Sequence, residues 1–171
     1  IGEMWRVHLG LDAKETERRA IAALREVNLP DPEGAMRAFP HELSGGQRQR
    51  VIIAMALALE PEVLICDEPT TALDVTTQAQ VLALIKDLQK RHGTAVMFIT
   101  HDFGVVAEIA DRVAVMRLGR VVEEGTAREV LTSPQHEYTR ALLAAVPGLH
   151  APEPRELSPD TVLEVRGLTK T

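Results

Sequence analysis

Leu43, Ser44, Gly45, Gly46, Gln47 is followed downstream by Val63, Leu64, Ile65, Cys66 and then by two adjacent carboxylates, Asp67 and Glu68. The first segment sets a serine three residues before a glutamine, the pattern of a capping box at a helix start. A helix start leaves backbone NH groups unpaired and carries a partial positive charge, so it can hold a phosphate. Gly45 and Gly46 let a phosphate reach the backbone without a side chain intervening, and Ser44 adds a hydroxyl. Alone, SxxQ is more often an ordinary helix cap. The second segment is an apolar run of strand length. Carboxylates at the carboxyl end of a parallel strand face the crevice where α/β sheets bind ligands. An isolated pair of this kind can also be a solvated strand end. Four buried-type residues before it, and Pro69 and Thr70 after it, argue for the ligand-facing reading.

Working outward, Asp12 with Glu15 repeats the capping pattern, and Ile21, Leu24 and Val27 form one apolar stripe, so the spacing predicts an amphipathic helix over 13–28. Asn28, Leu29, Pro30, Asp31 and Pro32 close it, because proline cannot continue the ladder. The helix capped by Ser44 is expected to reach about Leu59, before Pro61. A strand at 63–66, a helix over about 75–91, a strand at 95–100 and a short helix near 103–110 follow. That alternation argues for a parallel sheet with crossover connections. Residues 112–118 and 120–124 read as two strands joined at Gly119, Thr126 with Glu129 caps a further helix, and a last helix covers about 137–145. Residues 147–160 hold four prolines and read as a linker, after which Val162, Leu163, Glu164, Val165 and Arg166 alternate like a new strand.

The 171 residues suit one domain, and 45% hydrophobic residues suffice for a core. A net charge of -6 without a basic block argues against nucleic acid as a partner. The longest apolar stretch, 51–59, is about half of the roughly 20 residues a bilayer requires, so a membrane link would run through partner subunits. A lone thiol, Cys66, excludes an internal disulfide and suits a reducing compartment. Trp5, Cys66 and the histidines at 8, 41, 92, 136 and 150 have no motif setting and read as packing or surface residues.

LSGGQ followed by a strand ending in DE resembles the nucleotide-binding domain of ABC-type ATPases, over nearly the whole chain. The fold this implies is α/β, a partial P-loop NTPase fold with a parallel sheet core and an α-helical subdomain. No GxxxxGK[ST] occurs in the sequence, so the N-terminal phosphate-loop part is expected to be missing. With no initiator Met at Ile1, the expectation is the second half of an ATPase domain cut from a longer protein. Residues 1–59 would be a partial α-helical signature subdomain, 60–146 the rest of the ATPase core with its tail, 147–161 a linker, and 162–171 the start of a second ABC domain.

By the same resemblance, Ser44, Gly45, Gly46 and Gln47 clamp the γ-phosphate of an ATP held by the opposite domain. Asp67 holds Mg²⁺, usually through water, and Glu68 acts as general base on the attacking water. Thr71, Ala72, Leu73 and Asp74 match the family's D-loop, usually SALD, with the hydroxyl retained at Thr71; Asp74 is equally a helix N-cap. His101 follows the next apolar strand and matches the switch histidine that contacts the γ-phosphate, although a lone histidine is more often structural.

The segment from Ser133 to Leu143 resembles the tail of oligopeptide and dipeptide importer ATPases. Glu137 stands between His136 and Tyr138 where that subfamily usually has proline, and the cysteine cluster some members carry after the tail is lacking. The resemblance implies ATP and Mg²⁺ as ligands, a second ABC ATPase domain in cis or as a dimer, membrane permease subunits and, indirectly, an extracytoplasmic solute-binding protein. It implies a peripheral position at the cytoplasmic face of the membrane and no activity of the isolated segment. Two other readings stand beside it: a soluble tandem ABC ATPase without a permease, and a non-catalytic module offering only its signature face.

Overall fold

Short polar side chains set most of the helix starts. The computed structural model describes residues 1–146 together with Arg166, Gly167 and Thr169. The expected linker and the new strand after it lie outside these residues apart from those three. Helix α1 spans Gly2–Leu9 and α2 spans Ala13–Glu26, where Asp12 accepts the Glu15 amide at 2.9 Å. Helix α2 stops two residues short of the expected end because Asn28 takes φ 53, a left-handed conformation that asparagine tolerates better than most residues. The prolines that follow do more than close it. Pro32 opens a one-turn helix, α3 (Pro32–Ala35), capped by Asp31, since the missing NH of a first-turn proline is one the helix leaves unpaired anyway.

After a 3-10 turn at Pro40–Glu42, α4 runs Gly45–Leu57 and β1 runs Val63–Asp67. Helix α5, Val75–His92, begins at Asp74 and ends at Gly93 in the left-handed region, with Lys90, Arg91 and His92 against the negative end of its dipole. Strand β2, Ala95–Ile99, pairs parallel with β1 from Val63↔Ala95 to Asp67↔Ile99. Parallel neighbours need a crossover, and α5 is that crossover. Leu64 and Cys66 of β1 pack with Val81, Leu84, Ile85 and Leu88 of α5, with Ile53, Ala54 and Leu57 of α4, and with Leu24 and Val27 from the end of α2. A buried aliphatic side chain contributes about 1.5–3 kcal/mol, so this cluster holds the β1–α5–β2 unit on the helices before it. On the opposite face Val63, Ile65, Met97 and Ile99 are exposed.

Helix α6 (Phe103–Ile109) leads to a separate antiparallel hairpin, β3 (Arg112–Arg117) and β4 (Arg120–Thr126). Its two-residue turn places both Leu118 and Gly119 at positive φ, the geometry whose twist matches a hairpin. Helix α7 (Ala127–Thr132) starts in a capping box between Thr126 and Glu129, and α8 spans Glu137–Ala144. Trp5 is buried, and its indole NH donates to Ala58 O at 2.8 Å, tying α1 to the end of α4. None of the described helices is long and apolar enough to cross a membrane.

Candidate functional site

In-register parallel pairing makes the segments leaving β1 and β2 emerge side by side. The Glu68 amide donates to Ile99 O at 2.9 Å, carrying the ladder one residue past the strand, and Glu68 then turns at φ 45. A positive φ is uncommon for a non-glycine residue, and here it falls where the strand ends. Its carboxylate has two partners among the described residues. Oε1 lies 2.8 Å from His101 Nδ1, and Oε2 accepts from the Thr71 hydroxyl at 2.7 Å. His101 first, then Thr71, holds the Glu68 carboxyl below the usual carboxylate range; Glu68 in turn raises the His101 imidazole. Both side chains are open to solvent, Glu68 at 41% and His101 at 74%. An ionised carboxylate offers two lone pairs on each oxygen, so Glu68 can still accept from a water beside these partners.

Asp67 closes β1 and is exposed next to Glu68. Among the described residues no group of three His, Cys, Asp or Glu could cage a metal ion. Mg²⁺ is usually held by one or two carboxylates with phosphate oxygens and waters, and Asp67 fits that partial role. Behind it, Cys66 is buried and burial pushes its thiol up, away from reactivity.

The LSGGQ segment forms a second cluster. Ser44 caps α4: its Oγ accepts from the Gln47 amide at 3.2 Å, while Gln47 Oε1 accepts from the Ser44 amide at 2.8 Å. The capping box is thus closed on itself. The amides of Gly45 and Gly46 belong to the first turn, which a helix leaves without intrahelical partners. A Cβ on Gly46 would stand 2.5 Å from Thr77 Cγ2, and one on Gly45 would stand 3.5 Å from Leu73 Cδ2. Gly46 is therefore required by the close approach of α4 to the start of α5, a packing reason that the sequence reading missed beside phosphate access. Asp74 caps α5 through the Thr77 amide at 3.0 Å and the Thr77 hydroxyl at 2.7 Å, and those bonds, the hydroxyl first, hold its carboxyl below the usual range. So Glu68, Thr71 and His101 share one cluster, Ser44 to Gln47 meets the Leu73–Thr77 segment in another, and residues 69–74 join the two.

A scan of family models matches the ABC transporter family over residues 3–71 and the oligopeptide/dipeptide transporter C-terminal region over residues 122–167. The chain is 56% identical over 147 residues to the peptidoglycan transport ATP-binding protein of Agrobacterium fabrum, a match covering 86% of this chain and 27% of that protein. It is 54% identical over 151 residues to the oligopeptide transport ATP-binding protein of Bacillus subtilis, covering 88% of this chain and 42% of the relative. With the glutathione import ATP-binding protein of Escherichia coli it shares 57% identity over 151 residues, 88% of this chain and 24% of that one. This chain belongs to the ABC transporter ATP-binding family. It spans less than half the length of each of these ABC relatives.

In this ABC chain the region matching the importer tail docks on the hairpin. The amides of Gln135 and His136 donate to the two carboxylate oxygens of Glu123 at 2.7 and 3.1 Å, and the Arg117 guanidinium lies 4.8 Å over the Tyr138 ring. His136 is an N-cap that the sequence reading did not single out: its Nδ1 accepts from the Tyr138 amide at 3.1 Å. Glu137 takes the first position of α8, where proline is also favoured and where an acid meets the positive end of the dipole. The departure from the His, Pro, Tyr pattern thus leaves the cap intact.

Proposed function

We propose that this chain is part of the ATP-binding and ATP-hydrolysing subunit of an ABC importer that powers uptake of peptides or related solutes. The observation that carries the proposal is the Glu68–His101 pair at the end of the parallel strands, in a chain of this family. Glu68 is the general base that takes a proton from the attacking water. His101, paired with it, orients the carboxylate and faces the γ-phosphate. A carboxylate kept ionised at neutral pH is already in the form a base requires. Asp67 would hold Mg²⁺ with the nucleotide's phosphate oxygens, and the ion supplies charge neutralisation there.

Ser44, Gly45, Gly46 and Gln47, with Asp74 beside them, act on the nucleotide of a second ABC ATPase domain, where the unpaired first-turn amides of α4 meet phosphate. Residues 1–59 serve as the signature subdomain and 60–146 as the remainder of the core with its tail. The names of the relatives, peptidoglycan, oligopeptide and glutathione transport, support a peptide-like solute. Membrane permease subunits, with an extracytoplasmic solute-binding protein behind them, are the partners, and the position is peripheral at the cytoplasmic face of the membrane.

Purified full-length protein is expected to hydrolyse ATP with Mg²⁺ and to stop when EDTA removes it. Full-length protein that binds no nucleotide and shows no turnover with its permease overturns the proposal.

A further inference from the structure

Glu68 has three rotatable side-chain bonds and stands in the open, so a single anchor leaves its carboxylate free to swing. His101 reaches only Oε1. The other oxygen is held by a hydroxyl from the loop that runs into α5, Thr71 Oγ at 2.7 Å. Two donors on two different oxygens fix the plane of a carboxylate, which one donor does not.

We infer that Thr71 is a positioning residue that, together with His101, aims the Glu68 carboxylate at the reacting water. The inference rests on Glu68 being the base. Thr71 itself sits on a loop pinned at both ends. Thr70 is buried beside it, the Leu73 amide donates to Thr70 O at 3.0 Å, Leu73 lies against Gly45, and Asp74 is locked into the cap of α5. A hydroxyl on so constrained a loop transmits the placement of the helices to the carboxylate. A methyl group in its place would leave the loop its shape and remove only the bond.

The test compares Thr71→Val, which keeps the branched shape, with Thr71→Ser, which keeps the donor, in the full-length protein. Thr71→Val is expected to lower kcat by about tenfold with KM within about twofold, since the bond orders the reacting geometry and not the bound nucleotide. Thr71→Ser is expected to stay within about twofold of wild type. On a Glu68→Gln background, Thr71→Val should cost nothing more, because residues acting as a unit are non-additive. In the 171-residue chain, side-chain three-bond NMR couplings of Glu68 should report one rotamer in wild type and Thr71→Ser, and an averaged set in Thr71→Val.

Full kcat in Thr71→Val, or an unchanged Glu68 rotamer, overturns the inference while Glu68→Gln still abolishes turnover. Equal losses from Thr71→Val with and without Glu68 place its action elsewhere and also overturn it. Wild-type turnover in Glu68→Gln removes the reading of Glu68 as base, and the inference falls with it.

Discussion

At the start of α4, Ser44 and Gln47 satisfy one another across three positions, whereas at the end of β1 the carboxylate of Glu68 reaches His101 across thirty-three. The LSGGQ end is thus assembled by one turn of backbone, and a reader of the sequence can close its hydrogen bonds on paper. The carboxylate end exists only once β1 and β2 pair in register, which depends on the core under α5. Local chemistry makes the capping bonds of the first robust to changes elsewhere. Long-range packing makes the second sensitive to them.

The largest effect should come from undermining that core. Leu64→Ala removes a buried side chain two residues from Cys66 in the strand that delivers Asp67 and Glu68. It is expected to cost about 2–5 kcal/mol in urea denaturation, against under about 1 kcal/mol for Ile65→Ala on the open face of the same strand. Equal losses from the two would mean that β1 is buried on both sides.

Gly46→Ala comes next. Alanine raises helix propensity by about 1 kcal/mol over glycine, but its Cβ meets Thr77 Cγ2 at 2.5 Å. Overpacking of about 1–3 kcal/mol should win, giving a net loss in thermal denaturation. Thr77→Ser removes the offending methyl and keeps the hydroxyl bond to Asp74, so in that background Gly46→Ala should become neutral or stabilising. A stabilising Gly46→Ala in the wild-type background would mean that the two helices do not meet there.

Ser44→Ala should cost about 1 kcal/mol, the usual value of an N-cap, and should leave the Glu68–His101 pair untouched when His101 is followed by NMR. A shift of the His101 signals would show that the two ends are coupled.

The smallest effect is the pH dependence of that exposed pair. His101 is raised, so its contribution to stability is fully present below the ordinary histidine value of 6.5 and is lost as pH rises through the folded value. Glu68 is depressed, so its contribution is present above the ordinary 4.5 and is lost as pH falls through the lower folded value. The pair therefore contributes most between about pH 4.5 and 6.5. The stability gap between wild type and His101→Gln should be open at about pH 5.5 and should close as pH rises through the raised folded value of His101.

What the sequence made legible follows the same division. Capping boxes at Ser44 and Thr126, the Asp12 and Asp74 caps and the turn at Gly119 are decided within a few residues, and the structure forms them where the spacing puts them. Helix α1 was not legible: its eight residues lack a capping side chain, and its anchor, Trp5 to Ala58 O, joins residues 53 positions apart. Helix α3 was hidden because prolines that end one helix also start the next. In the site, Glu68 and His101 stood out by their places after apolar strands, but neither their pairing nor the Thr71 bond could be read. The strand register and the left-handed turn at Glu68 decide both. The steric need for Gly46 was invisible for the same reason, since Thr77 reaches it only through tertiary packing.

A single-turnover experiment separates nucleotide binding from hydrolysis at Glu68. Full-length protein carrying Glu68→Gln would be mixed with Mg²⁺ and labelled ATP, and the nucleotide it retains identified over time. Wild type is expected to convert bound ATP to ADP, while Glu68→Gln binds as much nucleotide and holds it as ATP, slowed by about a hundredfold or more. Conversion to ADP at the wild-type rate by Glu68→Gln would contradict the reading of Glu68 as base.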